Sequence, residues 1–201
     1  MPEIANYKGM LATIRKEWDK AEQSIKLAEQ VGNQVVFPAI KELRYGGRRI
    51  VDALSLLPDG DEEKFKALFD DALFDCYRAR HDAVDAAISI IAAELNVTAK
   101  KLGYRPILDA FPEYPKLLET LRKAQAAIAA SRGIRDDRDR IYTAIESVDL
   151  PALIEQYNRF QGRSDIMRGL AKSDRFWPLA GLIATIVFGV LATVLAYLAL
   201  K

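Results

Sequence analysis

The sequence predicts an all-α protein, an antiparallel bundle of about four long helices followed by one C-terminal transmembrane helix. Three observations carry that expectation. Apolar residues recur every three to four positions over most of the chain. No stretch alternates with a period of two, as a half-buried strand would. One long uncharged run closes the sequence. At 201 residues the chain has the size of one domain plus an appendage. Half of its residues are hydrophobic and 28% are charged, with 11 Gly and 8 Pro, a globular and helix-permissive balance that argues against long disorder.

The first helix carries apolar or small residues at Ile4, Tyr7, Leu11, Ile14, Trp18, Ala21, Ile25, Ala28, Gly32 and Val35. That alternation of threes and fours makes a coiled-coil-like seam. Gly32-Asn33 and Pro38 interrupt it. The pattern resumes at Val36, Ile40, Leu43, Gly47, Ile50, Leu54 and Leu57, and Pro58-Asp59-Gly60 is a strong turn signal.

Asp61 is placed to cap the third helix, with Glu62 and Glu63 in its first turn. The seam of that helix runs Phe65, Phe69, Ala72, Cys76, Ala79, Ala83, Ala86, Ile90, Ala93 and Val97. Val84, Ile88, Ile91 and Leu95 widen its later half, and Gly103 closes it. Pro106, Pro112 and Pro115 prevent a regular helix throughout the link that follows. From Tyr114 a further helix uses Leu117, Leu121, Ala124 and Ile128, then Ile134, Ile141, Ile145 and Val148. Asp149 and Pro151 reset the chain before a short helix with Leu153, Ile154, Tyr157 and Phe160.

From Leu179 to Leu200 the chain runs 22 residues without a charge. At about 1.5 Å per residue that is roughly 33 Å, enough for a hydrocarbon core of about 30 Å. Trp177 and Tyr197 stand where interfacial aromatics belong, and Pro178 suits a first helical turn. Arg159, Arg163, Arg168, Lys172 and Arg175 outweigh Asp165 and Asp174 on the near side, while only Lys201 lies beyond. The basic flank predicts that the bulk of the chain stays in the cytoplasm. Insertion would follow synthesis, as for tail-anchored proteins. Gly181, Thr185, Gly189 and Thr193 recur every four residues and offer a transmembrane self-association face. This divides the chain into a cytoplasmic helical bundle at 1–160, a basic juxtamembrane linker at 161–176 and a transmembrane anchor at 177–200.

Several chemistries are excluded by inventory. His81 is the single histidine, too few for a di-iron Glu-x-x-His bundle site or a His-Asp phosphohydrolase centre. The Arg-x₄-His nuclease pattern would need arginine where Cys76 stands. There is no P-loop, no Gly-x-Ser-x-Gly and no Cys-x-x-Cys. Cys76 is the only cysteine, so no internal disulfide forms. Without Lys201, basic and acidic residues balance at 28 each. A neutral surface argues against nucleic acid as a partner.

Two polar strips stand out. In the Lys41–Arg49 stretch, Arg44 and Arg48 share a helix face and suit a phosphate or carboxylate. Gly46 and Gly47 beside them admit either a ligand or a neighbouring backbone at about 1 kcal/mol each in helix propensity. In the Asp75–Asp85 stretch, Arg78, Asp82 and Asp85 share a face, with His81 adjacent. A bundle that set these strips together would make one polar layer of Arg44, Arg48, Arg78, His81, Asp82 and Asp85, serving as a ligand site or as a register device. The alternating charges of Arg132–Arg140 predict an exposed helical extension, or else a partner-docking surface.

These features predict a tail-anchored, single-pass membrane protein that acts as a self-associating helical sensor, effector or scaffold rather than an enzyme. The lipid bilayer, a second copy and a protein partner are the expected associates, and no cofactor is expected. The alternative is a membrane-bound metal-dependent hydrolase using helix carboxylates, Asp71, Asp75, Asp82 and Asp85 with Glu42 and Glu119.

Overall fold

The computed structural model of the chain describes residues 7–56, 61–134 and 137–199, without the side chains at 175, 177–180, 198 and 199. Among the described residues every regular element is helical. They are α1 (Lys8–Gly32), α2 (Phe37–Ser55), α3 (Glu62–Leu102), α4 (Tyr104–Ala110), α5 (Tyr114–Ser131), α6 (Arg138–Ala144), a π turn (Ile145–Asp149), α7 (Leu150–Gln161) and α8 (Ser164–Ala199).

The early helix ends follow local chemistry. Asn33 adopts φ 47° and stops α1, a left-handed conformation that asparagine tolerates. Pro38 sits in the first turn of α2, where its missing N–H costs nothing. The Asp61 Oδ1 accepts the Lys64 N–H at 3.1 Å and caps α3, whose last turn carries Lys100 and Lys101. Gly103, at φ 82°, ends α3 as expected. The seam positions Ile4 and Leu57 and the turn at Pro58-Asp59-Gly60 lie outside the described residues.

Two expectations are corrected after Tyr114. The chain does not run as one helix to Val148, because α5 stops at Ser131. There the Ser131 hydroxyl donates to the Ile128 carbonyl at 2.7 Å. Arg138 then reaches back to the carbonyls of Ser131 and Arg132 at 3.3 and 3.4 Å. Orphan carbonyls at the helix end are thus satisfied by the Arg138 side chain together with tight turn bonds from the N–H groups of Arg132, Gly133 and Ile134. Nor does Pro151 reset the chain. It has no N–H to return to the preceding turn and its ring crowds that turn. The backbone widens into the π turn at 145–149 and continues directly as α7.

The chain divides into two compact units. The first is Met1–Glu94 with Leu118–Glu155, and the second is Leu95–Leu117 with Gln156–Lys201. In the first, the early part of the predicted α3 seam is inward, Phe65, Phe69, Ala72, Cys76, Ala79 and Ala83 being essentially inaccessible. Further along α3, Val84, Ile88, Ile91 and Leu95 are buried, whereas the seam positions Ala93 and Val97 are exposed. Tyr7 packs on Phe65 with centroids 4.2 Å apart, and Phe65 stacks on Phe69 at 4.6 Å. Each fully buried phenylalanine contributes about 1.5–3 kcal/mol of transfer free energy. α1 adds Ile14, Ala21, Ile25 and Ala28.

α2 keeps only part of the expected seam inside, with Val36 and Leu43 buried, Gly47 and Ile50 half-buried, and Ile40 and Leu54 exposed. It buries Ala39, Glu42, Leu43, Gly46 and Ala53, while Phe37, Ile40, Tyr45, Val51 and Leu54 are exposed. Gly46 explains the choice. A methyl group there would stand 3.3 Å from the Ala72 carbonyl oxygen and 3.4 Å from Asp75 Cβ. The two backbones approach too closely for bulk, so the small residues face in.

In the second unit, Ile107, Phe111 and Tyr114 are buried with Phe160, Met167 and Ala171. Phe111 meets the Phe160 ring edge-on at 5.7 Å, and Tyr114 stacks on it at 5.5 Å. From 181 to 197 every side chain of α8 is exposed.

The membrane-anchor expectation is corrected here. Among the described residues no helix is long and apolar enough to cross a membrane. The uncharged run is the latter part of a 36-residue helix rather than a helix of its own. The helix containing it also begins at Ser164 rather than at Pro178. The transmembrane, tail-anchored and single-pass assignments fall with this, as does the cytoplasmic placement argued from flanking charge. The roles given to the Trp177 and Pro178 side chains and to Lys201 lie outside the described residues.

Candidate functional site

The expected α2–α3 polar layer is present in part. Arg78 lies 3.3 Å from the Glu42 carboxylate, and Arg49 pairs with the buried Asp75 at 2.6 Å. Burial raises the Asp75 and Asp82 carboxyl pKa values above the usual range. Glu42 raises both further, while Arg49 on Asp75 and Arg78 on both pull them down. Arg44 and Arg48 do not join the layer. Arg48 turns outward and pairs with Asp52 on its own helix at 2.9 Å. Arg44 is exposed and lies over Tyr45, 5.9 Å from the ring centroid. Gly46 and Gly47 admit a backbone and the Trp18 indole, which a methyl on Gly47 would meet at 3.4 Å.

His81 and Asp85 belong to another constellation, against α6. The His81 ring stacks on Tyr142 at 3.9 Å, and the Tyr142 hydroxyl donates to Asp85 Oδ1 at 2.7 Å. Asp85 also lies 3.8 Å from Arg132. The His81 Nε2 is buried without a hydrogen-bond partner among the described residues, 3.6 Å from Asp139 Oδ1. Burial, reinforced by Arg80 and Arg138, lowers its pKa to about 3. This histidine is therefore neutral at ordinary pH.

The residue that organises this region is Arg80, which the sequence reading passed over. Its side chain is 1% exposed. Nη1 donates to Glu17 of α1 at 3.1 Å, Nη2 donates to Asp139 and Thr143 of α6, and Nε lies 3.4 Å from Glu146 on the π turn. One sequence signal pointed to it. Arg80 lies four residues after Cys76 and four before Val84, both on the buried face of α3. The charge-alternating Arg132–Arg140 stretch is corrected accordingly. It is no continuous solvated helix, since Asp139 reaches inward to Arg80 and Arg138 caps α5.

Lys20 adds a second cation 2.7 Å from Glu17, and the Ser24 hydroxyl donates to Glu146 at 2.7 Å. Two cations thus face the three carboxylates of Glu17, Asp139 and Glu146. Burial raises the Glu146 pKa, offset by the Ser24 hydrogen bond and by Arg80, with Asp139 raising it further. A pocket of about 230 Å³ opens beside Glu146, Lys20 and Ser24. The guanidinium is already surrounded by acids, although its buried Nε has no hydrogen-bond partner among the described residues and only approaches Glu146. Cys76 is inert, for burial and the nearby Asp75 and Glu17 push its thiol up to about 12.

The carboxylate reading for a hydrolase is corrected as well. Among the described residues no group of three histidines, cysteines or acids is placed to hold a metal ion. The acids were grouped by sequence proximity on α3, but successive helical positions point to different neighbours. Asp75 faces Arg49, Asp82 faces Glu42 and Arg78, and Asp85 faces Tyr142.

What lies free is the outer face of α2. Phe37 is 74% exposed and Val51 62%. Two adjoining grooves of about 570 and 590 Å³ share Ile40 and Arg44, the second walled by Trp18 and Ile25 of α1. On α8, Gly181, Thr185, Gly189 and Thr193 are exposed. Their threonine hydroxyls donate to the Gly181 and Gly189 carbonyls at 2.9 and 2.8 Å, leaving a smooth strip without free polar groups. No family model, curated protein or solved structure matches the chain.

Proposed function

We propose that this chain is a non-catalytic recognition module that docks a protein partner on the outer face of α2. The Arg80 layer behind that face holds α1, α3 and α6 in register. The observation that carries the reading is the outer face of α2, where the bulky apolar residues Phe37, Ile40, Tyr45 and Val51 are exposed while Ala39, Leu43, Gly46 and Ala53 face in. Phe37 and Ile40 adjoin one another and are bordered by Lys41, Arg44 and Arg48, an arrangement that fits a protein interaction surface. Selection of helical peptides from a random display library against the full chain tests this. Binders are expected to lose about tenfold or more against Phe37→Asp/Ile40→Asp, a loss of about 1.4 kcal/mol, while the fold is retained. Binders indifferent to that pair of changes would sink the reading.

A second reading concerns self-association through Gly181, Thr185, Gly189 and Thr193. It is favoured by the exposure of every described side chain from 181 to 197, since a helix apolar all round is ordinarily covered. Sedimentation of the full chain beside Gly189→Leu tests it. A defined oligomer lost in the variant supports this face, and an unchanged oligomer removes it.

A further inference from the structure

We infer that the segment seated on α2 is an acidic amphipathic helix, whose apolar side enters the Phe37–Ile40 groove and whose carboxylates meet Lys41 and Arg44. The inference rests on the docking reading above and specifies its partner.

Charge is the first argument. The neighbouring α2 arginines are engaged, Arg48 with Asp52 at 2.9 Å and Arg49 with Asp75 at 2.6 Å. Lys41 and Arg44 have no carboxylate partner among the described residues. Both lean over Tyr45, with Lys41 Nζ 5.5 Å and Arg44 Cζ 5.9 Å from its ring centroid. Of the acids across the groove on α1, only Glu22 has a cation beside it. Glu22 accepts the Trp18 indole N–H at 2.9 Å and lies 3.7 Å from Lys26, while Glu29 accepts the Val36 N–H at 3.4 Å. With Glu42 offset by Arg78 and Glu22 by Lys26, Lys41 and Arg44 outnumber the one remaining acid of the groove walls, Glu29, beside the apolar residues Phe37 and Ile40.

Shape is the second argument. The exposed residues Phe37, Ile40, Arg44, Arg48 and Val51 recur at three- and four-residue spacing along one helix face. From Phe37 to Val51 that face measures about 21 Å, the length of four helical turns. No sheet edge exists among the described residues to pair with an extended segment. A helix satisfies its own backbone and docks through side chains alone, which is what such a groove accepts. A polyanion such as nucleic acid would use the cations but leave Phe37, Ile40 and Val51 uncovered.

The test uses fluorescence anisotropy on the full chain with two labelled, helix-stabilised peptides of about 15 residues. Both carry leucine on one face, and they differ only in glutamate or lysine at the flanking positions. The acidic peptide is expected to bind about tenfold or more tightly than its basic twin. That preference should shrink between about 50 and about 500 mM salt. It should reverse in Lys41→Glu/Arg44→Glu, and weaken without reversing in Arg44→Gln. Circular dichroism confirms that each variant is folded. Equal binding of the twins, a preference for the basic one, or binding by neither overturns the inference. If both twins bind equally and both are lost on Phe37→Asp, the docking reading stands and the acidic partner falls. If binding ignores Phe37→Asp, both fall.

Discussion

Arg80 and Arg44 place the same guanidinium in opposite circumstances within one compact unit. Arg80 is withdrawn from water and contacts Glu17, Asp139, Thr143 and Glu146. Arg44 projects from α2 with only the Tyr45 ring beside it. A desolvated cation must be compensated on every side, and once it is, it has nothing to offer a ligand. An exposed cation near apolar surface loses little by waiting and gains when a partner excludes water. The difference separates two roles that residue type alone leaves mixed, internal register at α3 and recognition at α2.

The comparison breaks most sharply at Arg80. Arg80→Ala leaves three carboxylates facing Lys20 alone and is expected to cost about 3–5 kcal/mol. Urea unfolding followed by circular dichroism reads this as a lower midpoint, and a cost under about 1 kcal/mol would show that the layer is effectively solvated. Gly46→Leu comes next, because it forces side-chain bulk against the Ala72 carbonyl. About 2–3 kcal/mol of overpacking is expected in the same assay, while Gly46→Ala should cost far less.

A pH measurement sharpens the interior side. Burial, Arg80 and Arg138 hold His81 neutral down to about pH 3, with Asp139 the nearest opposing charge. The unfolded chain takes up this proton below its ordinary value of 6.5, and the folded chain does not. Stability from His81 therefore falls with acidification below pH 6.5, by about 1.4 kcal/mol per pH unit at most. Asp75, Asp82, Asp85 and Glu146 have raised values and act oppositely, their cost fading as pH drops through them. Between pH 6.5 and about 5 the histidine's own contribution is a loss of up to about 2 kcal/mol. Unfolding titrations should show the natural chain losing that much more stability than His81→Phe over the same range.

The smallest effect belongs to the outer face. Arg44→Ala should move unfolding stability by less than about 0.5 kcal/mol, as an exposed substitution does. A larger destabilisation by thermal melting would place Arg44 in the fold rather than at its docking surface.

The polar residues show how far the chain could be read unaided. Arg78, Asp82 and Asp85 were legible as an inward strip because their spacing puts them beside the α3 seam. Their partners were not. Asp85 meets Tyr142 and His81 meets Asp139 across 57 and 58 positions of chain, a pairing that periodicity within one helix does not contain. Arg80 escaped notice because a charge on a buried face looks like a solvated neighbour until its three acids arrive from α1, α6 and the π turn.

By itself, the sequence determined that the protein is helical and where most helices start and stop. Those features depend on local effects: the 3.6-residue period, the cap at Asp61, the left-handed Asn33 and Gly103. It also determined the first half of the inward seam of α3, from Phe65 to Ala83. Only the tertiary structure decided which face of α2 is buried, since the close backbone approach at Gly46 overrode the larger apolar stripe. It alone ended α5 at Ser131, widened the chain before Pro151 and corrected the membrane-spanning expectation for the C-terminal run. Local rules choose a helix from a few consecutive residues, whereas faces, breaks and charge partners are chosen by residues far away in the chain.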